Sequence, residues 1–415
     1  MEQVVDRANM KRAYDRVLRN KGSAGVDNLD VTELGEHLRH HWPAIKARLL
    51  AGAYQPQPVR RVSIAKPNGG ARLLGIPTVL DRLIQQALHQ ALSPIFEPTF
   101  SDCSYGFRPG RNAQQAVQVA QSHVASGHDW VVDLDLENFF DRVNHDVLMA
   151  RVTREVSDHR ILKLIRKFLK VGLMVDGVVS PRREGTPQGG PLSPLLSNIL
   201  LTDLDRELEH RGHAFVRYAD DVVIYVNSER AGQRVLSGVK HFVANKLKLV
   251  VSDKKSAVAK PARRTFLGYV VTSKGFRIAR QSQDRLTANL TQLFRGAHGR
   301  SVRNTIETLN PVLRGWAAYY KLSTSQRPLE TIDGWVRRKL RCILWRQWKR
   351  PRTRERYLRR FGLANERAWR SSVNGRGPWW NAGASHMNQA LPLSRFHQWG
   401  LVSVLATVVR LQRLS

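Results

Sequence analysis

Phe215 to Val226 reads FVRYADDVVIYV, two apolar runs of strand character around the adjacent aspartates Asp220 and Asp221. A strand, a tight turn and a returning strand would aim both acids at one point beyond the hairpin. Two like charges held that close are costly unless a cation lies between them, so the pattern points to a divalent-metal site. Taken alone it also reads as an ordinary Asp-rich turn, because Asp is a common turn former. A second acidic element narrows the choice. Asp133 and Asp135 lie in WVVDLDLENFF, Trp130 to Phe140, and the strand period puts them on one face, where they meet the hairpin acids if the two strands are neighbours. Solvated strand-end residues are the plain alternative, but hydrophobic neighbours on both sides argue against it. Three carboxylates from two adjacent strands suffice for two Mg²⁺ ions about 3.5 to 4 Å apart, a device that stabilises attacking and leaving oxygens in phosphoryl transfer. Such ions keep water and phosphate in their shell and need few protein ligands.

Charge says what the site would act upon. The 415 residues include 67 Lys plus Arg against 34 Asp plus Glu, a formal charge of +33. A surplus of this size opposes a compact fold by self-repulsion, so a polyanionic partner is the natural explanation. Membrane attraction would use the same charge, but no apolar run approaches the ~20 residues of a spanning helix, and Met1 to Val17 is not a signal peptide. Nucleic acid is the better reading. With only Cys103 and Cys342, the chain offers neither a disulfide framework nor a Cys-rich zinc site, as befits a reducing cytoplasm.

The organisation is α+β. Helical spacing to about Arg48 is broken by the loop Asn20 to Asp30, and Val59 to Thr78 alternates about a Pro-Asn-Gly-Gly turn as a hairpin does. Helices follow at Leu80 to Phe96, Leu162 to Met174 and Leu195 to Arg211, with a strand running into a helix at Trp130 to Phe140 and a Gly/Pro loop at Glu184 to Pro194. After the YADD hairpin a helix precedes strands at LKLVVS (Leu247 to Ser252) and Thr265 to Ala279. From Gln283 helical, Arg-rich sequence dominates, which places a domain boundary near Gln281.

KGSAGVD (Lys21 to Asp27), KPNGGARLLGIPT (Lys66 to Thr78), SYGFRPGR (Ser104 to Arg111), DLDLENFFDRVNHD (Asp133 to Asp146), EGTPQGGPLSPLLSNILL (Glu184 to Leu201), RYADD (Arg217 to Asp221) and FLGY (Phe266 to Tyr269) occur in that order. Nearly end to end, the chain thereby resembles the group II intron reverse transcriptases, or intron-encoded maturases. YADD alone is a weak match; the ordered set is specific. The resemblance implies a right-hand polymerase of fingers and palm followed by an α-helical thumb or maturase domain. It implies a division into an N-terminal extension (1–48), fingers and palm (49–281), thumb and maturase domain (282–362) and a basic, nucleic-acid-binding tail (363–415).

Residue by residue, the resemblance makes Asp135, Asp220 and Asp221 the catalytic ligands of two Mg²⁺ ions, with Mn²⁺ as a substitute. Asp135 is preferred over Asp133 because it fits the family spacing to Phe139 and Phe140. Phe140 takes the place of the sugar gate that favours dNTPs, and is equally readable as a core aromatic. Lys66 and Arg72 would clamp the triphosphate, Arg bidentately and Lys as a point charge. Gln188 and Lys255 complete the dNTP contacts. Tyr218, Gly189, Phe266 and Gly268 are implied at the primer and template. Ser252 and Leu73 depart from the usual Asn and Pro.

Beyond Asn310, Arg and Lys alternate with Trp316, Trp335, Trp345 and Trp348. The tryptophans are expected mostly in a helical core, with Arg337, Arg338, Lys339, Arg341, Arg346, Lys349 and Arg350 facing RNA. No HNH-like cluster follows, so an endonuclease is expected to be missing, as in class C intron proteins. His386 in NAGASHMNQALP is not expected to bind metal. The expected partners are intron RNA, an RNA template, a DNA primer or target and dNTPs, in a bacterial cytoplasmic ribonucleoprotein without membrane; the oligomeric state stays open. Three functions remain: a mobile-intron enzyme that copies RNA and assists splicing, a polymerase-inactive splicing factor, and a domesticated relative in phage defence or repair.

Overall fold

In the computed structural model, which describes residues 1–65, 71–175, 178–180, 184–187, 189–296 and 299–414, the strands fall into three sheets. The strands are β1 (Val59–Ala65), β2 (Ala71–Ile76), β3 (Trp130–Asp135), β4 (Leu173–Val175), β5 (Val178–Ser180), β6 (Ala214–Tyr218), β7 (Asp221–Val226), β8 (Ala257–Ala259), β9 (Tyr269–Thr272) and β10 (Gly275–Ile278). The sheet orders are β2-β1-β4-β5, β6-β7-β3-β8 and β10-β9. The chain divides into two compact units, Met1–Pro261 and Ala262–Ser415. The boundary read near Gln281 falls inside the second unit, to which the β9–β10 hairpin belongs.

The β6-β7-β3-β8 sheet is antiparallel throughout. After Asp221 every residue of β7 is buried, the mark of a central strand covered on both faces. On one face Phe215, Val132, Leu134, Val222 and Ile224 join the core that contains Leu195, Ile199 and Leu200 of the helix Ser193–His210. The helix Glu229–Phe242, capped by Ser228, approaches β8 closely at Gly232, where a Cβ would lie 2.5 Å from Val258 Cγ1. No strand forms over Leu247 to Ser252, contrary to the sequence reading. Lys248 takes φ 56° after the π-helix Val243–Leu247, so the chain leaves extended geometry and keeps one bridge, Leu136 to Val251.

Arg217, on β6, is fully buried among these elements. Its guanidinium donates to both carboxylate oxygens of Asp205, at 2.7 and 2.6 Å, to Asn198 Oδ1 at 2.9 Å and to the carbonyl of Ala219 at 3.0 Å. Asp205 is buried too, which pushes its carboxyl above the ordinary range while Arg217 opposes that rise. The backbone of Arg217 joins the Ser104–Arg111 loop: its N–H donates to Cys103 O and its carbonyl accepts from Tyr105 N, both at 2.9 Å.

A second buried acid anchors the helix Val79–Phe96. Asp81 accepts from Tyr54 Oη at 2.9 Å, Gln57 N at 3.0 Å and Thr78 Oγ1 at 2.9 Å, and burial raises its pKa to about 6.

Replacing Arg217 by Met is expected to lower the unfolding free energy by about 3–5 kcal/mol, since it strands a buried carboxylate. Urea titration checks this, and the double variant Arg217→Met, Asp205→Leu should recover much of the loss. Asp81 gives a pH signature. Its folded pKa lies above its unfolded one, so its contribution is full at low pH and is lost as pH rises through about 6. Asp81→Asn should flatten that part of the stability–pH curve.

Candidate active site

Asp135 and Asp221 stand directly opposite each other in the β3–β7 ladder. Opposed residues carry their Cβ atoms about 4.5–5.5 Å apart on one face. Tyr218 pairs with Asp221 across the hairpin, so the turn consists of Ala219 and Asp220, and Asp221 is the first strand residue instead of a turn residue. Asp133, opposite Val223, lies on the same face one step further in. The two strands that carry the acids are thus sheet neighbours, while of the hairpin pair only Asp220 lies in the turn.

The turn is held in an unfavourable shape. Ala219 has φ 57°, a left-handed conformation uncommon outside Gly, Asn and Asp. Arg217 grips its carbonyl, and Gly106 lies against its amide so closely that a Cβ on Gly106 would sit 2.2 Å from Ala219 N. Gly106 is fixed in turn by Asn198 Nδ2, which donates to its carbonyl at 2.9 Å. Asp135 is fixed from the other side. Its N–H donates to Ser256 Oγ at 3.0 Å, and its carbonyl accepts from Ser252 N at 2.9 Å.

The electrostatics are those of crowded carboxylates. Asp221 retains exposed surface, yet surrounding protein, with Asp220, Asp133 and Asp135, raises its carboxyl to about 7; Lys255 opposes the shift. Lys255 Nζ lies 3.2 and 3.3 Å from the two oxygens of Asp135. Among the described residues no three acidic, His or Cys side chains converge into a finished metal cage. The donor set nevertheless fits a hard divalent cation. It offers carboxylate oxygens alone, mutual repulsion that a cation would relieve, and an ammonium group already drawn to Asp135.

Phe140 follows Asp135 by five residues. It lies in a short 3₁₀ turn, Phe139–Asp141, where the sequence reading expected a longer helix. It is half-buried, edge-on to the buried Phe139 with ring centroids 5.2 Å apart. Gly185 and Thr186 bond to its segment: Thr186 N donates to Phe140 O at 2.6 Å and Gly185 N to Val143 O at 2.8 Å. Gly189 has φ 126° and would drive a Cβ to 2.7 Å from Gly75 O. Gln188 and Lys66 lie outside the described residues, as does the side chain of Arg72, whose backbone pairs with Ile64.

In the second unit Phe266 is buried and Gly268 is covered by Tyr320, whose hydroxyl would be 2.5 Å from a Cβ there. Gly268 itself is half-buried. Of the seven basic residues expected to face RNA, Arg346, Lys349 and Arg350 are exposed, and Arg337, Arg338 and Lys339 are half-buried. Arg341 is not surface at all. It is buried, donates twice to Leu391 O at 3.1 and 2.8 Å and stacks over Phe396, so it fastens the tail. Trp345 and Trp348 are core, whereas Trp316 and Trp335 are half-buried. His386 packs against Trp345, centroids 5.5 Å apart. Sequence reasoning passed over Arg217, Asp205, Asn198 and Gly106. The available signal was Asn198 and Asp205 seven residues apart on an otherwise apolar helix face, opposite a lone Arg in an apolar strand.

Residues 64–271, half of the chain, match the reverse transcriptase (RNA-dependent DNA polymerase) family, and residues 283–362 match the group II intron maturase-specific domain. Protein YkfC of Escherichia coli is 41% identical over 200 residues, which cover 47% of this chain and 52% of YkfC. The group II intron-encoded protein LtrA of Lactococcus lactis is 32% identical over 325 residues, 62% of this chain and 54% of LtrA. The chain thus spans about half the length of these relatives.

Gly106→Ala is expected to displace the Ala219–Asp220 turn and to weaken Mn²⁺ binding at the acids by roughly 10- to 100-fold, the scale seen when supports of metal ligands are removed. Electron paramagnetic resonance titration measures it. Gly315→Ala, which meets open space, should leave the affinity unchanged.

Proposed function

The chain belongs to the reverse transcriptase (RNA-dependent DNA polymerase) family, and on that premise we propose that it copies RNA into DNA and binds group II intron RNA to assist its splicing. The observation that carries the reading is the pairing of Asp135 with Asp221 across the β3–β7 ladder, next to the turn residue Asp220. A polymerase-inactive splicing factor would have no use for that constellation.

The reaction is attack of a primer 3′-oxygen on the α-phosphate of a dNTP, with pyrophosphate leaving. Asp135, Asp220 and Asp221 would hold two Mg²⁺ ions, replaceable by Mn²⁺. Bound there, such ions supply positive charge to the attacking and leaving oxygens. Phe140, backed by Phe139 and tied through its carbonyl to Thr186, presents a ring held firmly enough to exclude a ribose 2′-hydroxyl. Tyr218, cross-strand from Asp221, borders the primer end. Lys66, Arg72 and Gln188 would meet the triphosphate. Lys255, now on Asp135, would join them once metal neutralises the acids.

In this reading residues 49–281 are fingers and palm, 1–48 an extension in front of them, 282–362 a thumb and maturase domain, and 363–415 a basic tail. Splicing is catalysed by the RNA, and the protein stabilises the active RNA fold through binding free energy. The complex would be a ribonucleoprotein; among the described residues no helix is long and apolar enough to cross a membrane.

Primer extension on an RNA template with Mg²⁺ tests the reading. Asp220→Ala, Asp221→Ala should reduce the rate by roughly a thousandfold or more, matching several kcal/mol of lost charge stabilisation. Undiminished extension by that variant overturns it.

A further inference from the structure

Trp345 and Trp348 are core and Trp316 and Trp335 half-buried, yet the second unit exposes aromatic rings elsewhere. Trp369, Trp379 and Trp380 are exposed at 47%, 39% and 48%, and all fall within the short helices Asn365–Ser372 and Pro378–Gly383.

Trp379 borders a cavity of about 320 Å³, within the size range of ligand sites. Phe294 and Arg295 line it from the helix Arg280–Arg295, and Lys339, Ile343 and Arg346 from the helix Arg327–Gln347. Its lining contains three cations, two aromatic rings and no acid. Trp379 is held in place before any ligand arrives. The Arg338 guanidinium lies 4.1 Å from its ring centroid and donates to its carbonyl at 3.1 and 3.3 Å, while Lys339 Nζ is 5.0 Å from the same ring. Gly383 permits that approach, since a Cβ there would come within 2.9 Å of Arg338 Cζ. Trp380 carries Arg376 at 5.0 Å.

We infer that this cavity receives an unpaired nucleotide of an RNA strand, its base against the exposed Trp379 ring and its phosphates on Arg295, Lys339 and Arg346. Unpaired bases offer a π-face to aromatic rings and to guanidinium planes, whereas the bases of a duplex are already stacked on one another. The cations supply the complementary charge, and ordering Trp379 in advance lowers the entropic cost of binding. RNA is the committed source because the helix carrying Lys339 and Arg346 lies in the maturase-specific stretch, so the inference rests on the intron-RNA reading given above.

The test is fluorescence anisotropy of the full chain with a labelled unpaired RNA 12-mer, the same strand in a duplex, and the matching single-stranded DNA. Trp379→Ala should weaken binding of the unpaired RNA by roughly five- to 150-fold, the range for loss of one base stack. Trp379→Phe should restore most of it, and Arg346→Gln should flatten the salt dependence. Duplex binding should change less than about twofold, and circular dichroism should give the same melting curve for all variants. Equal losses on unpaired and duplex RNA, no loss at all, or a larger loss on DNA than on RNA would each overturn the inference. Primer extension is read separately. A wild-type chain that binds unpaired RNA through Trp379 but extends no primer keeps the cavity assignment and removes the polymerase reading.

Discussion

One buried ion pair underlies the geometry of the first unit. Arg217 and Asp205 are wholly removed from water, a state in which neither charge is tolerable without the other. Such a pair contributes little net stability compared with apolar packing of the same volume. What it fixes here is position. Two side chains of the helix Ser193–His210 and the Ala219 carbonyl converge on one planar guanidinium, whose fork accepts only one arrangement of its partners, while the backbone of the same residue pairs with Cys103 and Tyr105. The strained turn that carries Asp220 is therefore imposed by its surroundings, since an alanine there has no preference for φ 57°.

The acidic site was legible because its signals are local. Two-residue alternation placed Asp133 and Asp135 on one face, and a hairpin flanked by apolar runs placed Asp220 and Asp221 at its end. Their direct opposition needed only that β3 and β7 be neighbours. Arg217 was present in the same motif but unreadable, because a charge inside a strand declares burial only when its partner is known to face it. Leu247 to Ser252 looked like a strand by composition; one left-handed residue, Lys248, broke the pairing. Arg341 counted as surface by its charge, while the carbonyl that accepts its hydrogen bonds belongs to Leu391, far along the chain and invisible to periodicity.

The contrast between +33 overall and four clustered aspartates follows from what each must do. Long-range attraction of a polyanion needs a broad positive field, which salt screens beyond about 10 Å. Chemistry on phosphate needs the opposite sign within a few ångströms, to concentrate cations. Lys255 on Asp135 shows that boundary at atomic scale, where the positive surface touches the first carboxylate.

The tail of the second unit has a consequence for how such chains are assembled in evolution. Within the helix Arg327–Gln347, Arg341 donates two hydrogen bonds to Leu391 O, and Asp333 accepts from Ser403 Oγ, Val404 N and Leu405 N. Both side chains lie inside residues 283–362, and all their partners lie outside it. A recombination that transplanted 283–362 alone would carry a buried cation and a buried anion into a new host with nothing to meet either. The inheritable module is thus two separated lengths of chain, bound to share one fate.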